Sequence, residues 1–261
     1  MKIVFLGAGN LATNLAMAMK NAGHEIVQVY SRTSESAEEL ARKTVSEGIT
    51  SLNRMVHDAD LYVLSVKDDA IPQVADNFPV GEGFLVHTAG SVPMELLKDR
   101  SSNYGVLYPL QTFSKDKLTG FSNIPLCLEA NTSRNLDVLK ELASSLSRNI
   151  YELNSSQRAG LHVAAVFSCN FTNYMLAKAE EVLHKQDISF DILFPLIRET
   201  IDKALDYSPS QVQTGPAVRG DRQTIDRHLK LLAYSDKLQN LYRFVSNAMV
   251  NDHNSGQESK Q

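Results

Sequence analysis

The ten residues IVFLGAGNLA, positions 3–12, constrain the fold of this chain more than any other stretch. KIVFL is a short apolar run rich in strand formers. The following LATNLAMAMKNAG repeats Leu11, Leu15, Ala18 and Met19 at helical spacing, and Gly23 is a natural stop. A strand passing into a helix through so few residues needs a tight turn, which Gly7 permits. Gly9 lets another group approach the backbone closely, and Ala12 is small enough for the helix to pack on a sheet.

The alternation continues. EIVQVYS reads as a second strand and SESAEELARK as a helix with Ser34 or Ser36 as N-cap. ADLYVLSV is a buried strand, and DDAIPQVADNF a short helix interrupted at Pro72. GFLVHTA, a turn at GSVP and a short helix MELLK come next. YGVLYP and IPLCLEA are strands, SRNLDVLKELASSL a helix, and NIYEL a last strand. This pattern predicts an α/β fold with a largely parallel sheet covered by helices, a Rossmann domain over residues 1–153. Beyond it the strands stop. SSQRAGLHVAAVFSCNFTNYMLAKAEEVLHK supports a helix of around 30 residues, and three more helical stretches follow. We expect an all-helical domain over 154–250 and a flexible polar tail over 251–261.

A formal charge of −4 gives no support for a nucleic-acid partner. No apolar run approaches the roughly 20 residues that span a bilayer, and no signal-peptide pattern is seen. Cys127 and Cys169 match no metal-ligand spacing, and apolar neighbours suggest buried free thiols in a reducing cytoplasm. No metal site is expected.

Gly7-Ala8-Gly9-Asn10-Leu11-Ala12 is the G-x-G-x-x-A form of the dinucleotide fingerprint, and it lies where that fingerprint belongs, between a strand and a helix. A bare tight turn is the competing reading. The second strand ends in Ser31, Arg32 and Thr33, with no acid for a ribose 2′-hydroxyl. Arg32 can pair with a 2′-phosphate, so NADP is expected over NAD, unless Arg32 is a solvated loop residue. Two later strand ends should face the same crevice: Ser65, Val66, Lys67 and Asp69, and then His87, Thr88 and Ser91. A buried histidine with a satisfied ring is the plainer alternative for His87.

GAGNLA, YSRT, SVKDDAI and HTAGSVP together resemble the Rossmann halves of pyrroline-5-carboxylate reductase and the deazaflavin-dependent NADP oxidoreductases. YPLQTFS, HVAAVFSCNF and TGPAVRGD resemble a family of Rossmann oxidoreductase-like proteins whose C-terminal half carries a domain-of-unknown-function label. The resemblance spans nearly all of residues 1–250. It implies a helical second domain like that of 6-phosphogluconate dehydrogenase, often the dimerisation element, and a small-molecule substrate. In that family the residue before PLQTF is often histidine. Here it is Tyr108, a phenol that can still donate a hydrogen bond.

The related β-hydroxyacid dehydrogenases carry a helix reading G-x-G-x-x-x-K-x-x-x-N. Laid on GLHVAAVFSCN, this pattern puts Asn170 on the substrate-orienting asparagine and Val166 on the catalytic lysine. His162 then becomes the candidate acid/base, or else a histidine bonded to the first domain. On a regular helix the two lie about 80° apart. Arg219, in TGPAVRGD, is a candidate clamp for a substrate carboxylate, or a latch on Asp221. The expectation is an NADP-dependent oxidoreductase acting on a small carbonyl or imine compound, a carboxylate-bearing 2-oxo or imino acid; the alternative is a non-catalytic NADP-binding sensor or scaffold. A homodimer through the helical domain is expected because long helices with several apolar faces need partners.

Overall fold

The computed structural model describes residues 1–78 and 83–258. Two compact units divide the chain, one through Phe167 and one from Ser168.

The first unit is an eight-stranded sheet in the order β3-β2-β1-β4-β5-β6-β7-β8. It begins with β1 (Lys2–Leu6), α1 (Asn10–Asn21), β2 (Glu25–Tyr30), α2 (Ser34–Thr44) and β3 (Glu47–Ile49). The three-residue β3 is too short to show alternation, and the sequence reading did not include it. β4 (Leu61–Leu64), α3 (Ile71–Asp76), β5 (Phe84–His87) and β6 (Tyr104–Pro109) complete the parallel part. The chain order reverses between β1 and β4, the switch point at which α/β sheets open a ligand crevice. β7 (Leu126–Ala130) then runs antiparallel to β6, with Tyr108 opposite Cys127 and Val106 opposite Glu129. α4 (Ser133–Leu146) and β8 (Ile150–Glu152) follow, and α5 (Ser155–Ala165) closes the unit.

β1, β4 and β5 are buried on both faces, as parallel strands under two helical layers must be. Ile3 and Phe5 pack with Leu15 and Met19 of α1, while Val4 and Leu6 pack on the other side with Leu64 and Ile71. Pro72 lies in the first turn of α3 and starts that helix instead of interrupting it. Thr33, not Ser34 or Ser36, is the N-cap of α2, because Ser34 already has helical geometry. MELLK is a 3-10 turn, Met94–Leu97.

The expected long helix does not stay regular. α5 passes into a π-helical segment, Val166–Phe171, before α6 (Thr172–His184). α7 (Phe194–Asp206), α8 (Arg222–Leu231) and α9 (Asp236–Glu258) follow. α9 runs through most of the stretch expected as a tail, and residues 259–261 lie outside the described residues. Among the described residues of the second unit, the buried hydrophobics are Ala217, Leu232 and Leu238, whereas Leu205 is 80% and Phe244 74% exposed. No helix among the described residues is long and apolar enough to cross a membrane.

Candidate active site

The glycine loop is shaped by its neighbours. Gly7 has φ +127°, and a Cβ on it would lie 2.1 Å from the Ser65 carbonyl oxygen, so only glycine fits. Its N–H donates to the Tyr30 carbonyl at 2.8 Å, joining β1 to the end of β2. Gly9 is the N-cap of α1 and has open space where a Cβ would be. The amides of Asn10, Leu11 and Ala12 have no intrahelical acceptor, and Gly9 has no side chain to cap them. Asn10 is exposed, Leu11 half-buried and Ala12 buried against the sheet. This cradle, a set of free amides at a positive helix end with clear space above, fits a pyrophosphate.

At the end of β2, Ser31 is half-buried and Arg32 and Thr33 are exposed. Thr33 caps α2 without a side-chain bond, and Arg32 forms no ion pair among the described residues. A hydroxyl pair and an uncommitted guanidinium suit a second phosphate beside the first.

The floor of the crevice is polar and tied together. The Thr88 hydroxyl bonds the Ser65 hydroxyl at 3.2 Å. Val66, Gly7's other neighbour, is half-buried, while Lys67 and Asp69 are exposed. The Ser91 hydroxyl donates to the Asp68 carboxylate, bridging the loops after β5 and β4.

His87 is the last residue of β5. It is fully buried, its Nδ1 accepts from the Ala89 amide at 3.2 Å, and burial and the Arg158 charge push its pKa down to about 3. It is a neutral core residue. Its burial fits the plainer of the two sequence expectations, although Nε2 has no hydrogen-bond partner among the described residues.

The Tyr108 hydroxyl and His162 Nδ1 lie 3.1 Å apart. They meet over Gly90, where an added Cβ would be 2.7 Å from His162 Nδ1 and 2.9 Å from Tyr108 Cζ. Burial, with the Cys127 thiol and Asp68 beside it, pushes the Tyr108 phenol up to about 12. Among the described residues no protein group is bonded to His162 Nε2. Three separate stretches, HTAGS, YPLQ and GLHVA, thus converge at one point.

Beneath them is a group that the sequence reading missed. Arg158 is 1% exposed and pairs with Glu129 of β7. No local spacing in the sequence marks the two as partners, because they lie 29 residues apart on separate elements.

In the second unit Asn170 is exposed within the π-helical segment. The i→i+5 winding there cancels the regular-helix angle expected between it and His162. Arg219 is exposed in a loop bounded by Gly215 (φ +119°) and Gly220 (φ +68°). Asp221 is not its latch: the carboxylate caps α8, accepting from the Thr224 amide at 3.0 Å and hydroxyl at 2.7 Å. Cys127 is buried, but Cys169 is exposed.

Residues 2–86 match the family model "NADP oxidoreductase coenzyme F420-dependent", and residues 124–249 match "Domain of unknown function (DUF2520)". A Bacteroides fragilis protein provisionally named an NADP oxidoreductase is 45% identical, with TM-score 0.90, over 96% of this chain and 98% of its own. An imine reductase from Myxococcus stipitatus, solved with NADP+, is 16% identical with TM-score 0.69 over 99% and 95% of the two chains. A reductive aminase from Aspergillus terreus, solved with NADPH and ethyl levulinate, is 15% identical with TM-score 0.72 over 96% and 94%. These last two likenesses are of fold. No curated protein matches the chain.

Proposed function

The chain belongs to the family of NADP oxidoreductases in which a Rossmann unit precedes a DUF2520 region, and from that premise we propose that it reduces a C=O or C=N bond of a small molecule at the Tyr108–His162 pair. The observation that carries this reading is the meeting of the two side chains over Gly90, at the carboxyl end of β5.

The amides of Asn10, Leu11 and Ala12 hold the pyrophosphate, and Arg32 with Ser31 and Thr33 holds the 2′-phosphate. NADPH, when bound, supplies a hydride to the substrate carbon. The heteroatom of the reduced bond needs a proton. Tyr108, kept neutral by burial, is a weak acid towards water but a strong one towards an alkoxide, and it donates as charge develops. His162 replaces that proton through the 3.1 Å bond. The missing lysine at Val166 therefore leaves no gap in the chemistry.

Substrates of this reading are short oxo or imino compounds, with a carboxylate-bearing one preferred. NADPH oxidation is to be followed against a panel of keto and imino acids. His162→Gln is expected to lower turnover about 10²–10⁴-fold on any accepted substrate, and Tyr108→Phe nearly as far. Unchanged turnover in His162→Gln would overturn the assignment.

A further inference from the structure

Tyr108 lies on β6, His162 on α5 and Gly90 on the loop after β5, so something must hold three elements in register. Glu129 and Arg158 do this. Glu129 is opposite Val106 and Cys127 opposite Tyr108, so all four side chains share one face of the sheet. α5 covers that face with Arg158, Leu161 and His162, spaced i, i+3 and i+4.

The Arg158 guanidinium donates to Glu129, to the Ser155 hydroxyl at 3.2 Å and to the Val92 carbonyl. The Glu129 carboxylate also accepts from the Ser155 amide at 2.9 Å and from its hydroxyl. The Ser155 hydroxyl in turn accepts from the Met94 amide at 3.1 Å. Helix α5 is thereby tied to β7 on one side. On the other it is tied at Val92 and Met94 to the loop that carries Gly90.

A charge with 1% exposure is an expensive way to attach a helix, since apolar side chains do as well or better. What directional bonds add is a fixed rotation of α5 and a fixed height for the loop. The geometry points to Glu129 and Arg158 as positioning residues that set the approach of His162 to Tyr108 over Gly90, an inference that rests on the proposed role of that pair.

The test is ¹⁵N-imidazole NMR of the full chain, with the His162 Nδ1 resonance identified by its loss in His162→Gln. Tyr108→Phe supplies the reference position for a broken bond. Glu129→Gln and Arg158→Met are expected to move the resonance to that reference while circular dichroism and NADPH binding persist. Their kcat should fall as far as that of Tyr108→Phe, with KM for NADPH unchanged. If either variant fails to fold, Ser155→Ala decides, because it keeps the charge pair but releases Met94; the resonance should then move part of the way. A folded variant of any of the three with His162 at its wild-type position overturns the inference. Full activity in Tyr108→Phe would instead sink the functional reading, while the NMR result would still judge the positioning.

Discussion

Gly90 shows how much can rest on a missing side chain. Gly90→Ala puts a methyl group within 3 Å of both rings of the Tyr108–His162 pair, and both must shift. A displacement near 1 Å at a reacting centre costs roughly 10²-fold in rate. We therefore expect turnover to fall about that far while NADPH affinity, measured by fluorescence titration, changes less than about twofold. Arg32 belongs to the other end of the crevice. Arg32→Ser should weaken NADPH by about 1.5–3 kcal/mol, the worth of charge-assisted bonds, and leave NADH unchanged. Equal losses for both coenzymes would remove Arg32 from the 2′-phosphate site. His87 gives a pH signature. Its folded pKa of about 3 lies below the ordinary 6.5, so between these values the unfolded chain binds a proton that the native state does not. Stability thus falls as pH drops through that window, by about 2–3 kcal/mol at pH 4.5 relative to neutral. His87→Gln should flatten this part of the urea-denaturation profile; the half-buried His24, also lowered, leaves a residual slope. The glycine loop was legible in sequence because it is a local pattern, whereas Tyr108 and His162 stood out only through the family resemblance, and nothing in their own spacing placed one against the other. For His87 the sequence left burial and a crevice position both open, because a strand end does not say which way its last side chain turns.

At the scale of elements, α5 carries the most consequence. Asn154 accepts from the Gln157 amide at 2.9 Å, and Gln157 reaches back to the Asn154 amide at 3.0 Å, closing a capping box at the start of the helix. Asn154→Ala should cost about 1 kcal/mol in chemical denaturation. A loss of turnover well beyond that of the fold would show that the helix start also sets His162. The N-x-x-Q spacing was there to be read. The Arg158–Glu129 pair was not, since its partners lie 29 residues apart on elements whose relative direction is set by the antiparallel β7. The π-helical segment was equally hidden, because HVAAVFSCNF satisfies helical periodicity whether the turns are regular or wide.

At the scale of the whole molecule, the second unit leaves its apolar faces uncovered. Ile192, Leu196, Leu205, Tyr207, Leu231 and Phe244 are each more than 60% exposed, while few hydrophobics of that unit are buried among the described residues. Four helices with so small an interior of their own do not hold together by propensity, since packing supplies most helical stability. Large exposed apolar patches on proteins are commonly interaction sites. We propose that a second copy of the chain covers it, and the apolar periodicity that led us to expect a dimer from sequence is the same property seen as surface. Sedimentation velocity should give a dimer at micromolar concentration. Leu205→Glu with Phe244→Glu should shift it towards monomer and lower the melting temperature of the helical unit, because a charge at a desolvated interface has no water to hold it. A wild-type chain that sediments as a monomer and melts cooperatively would show that these faces are stable in water and would leave their composition to be explained by another partner.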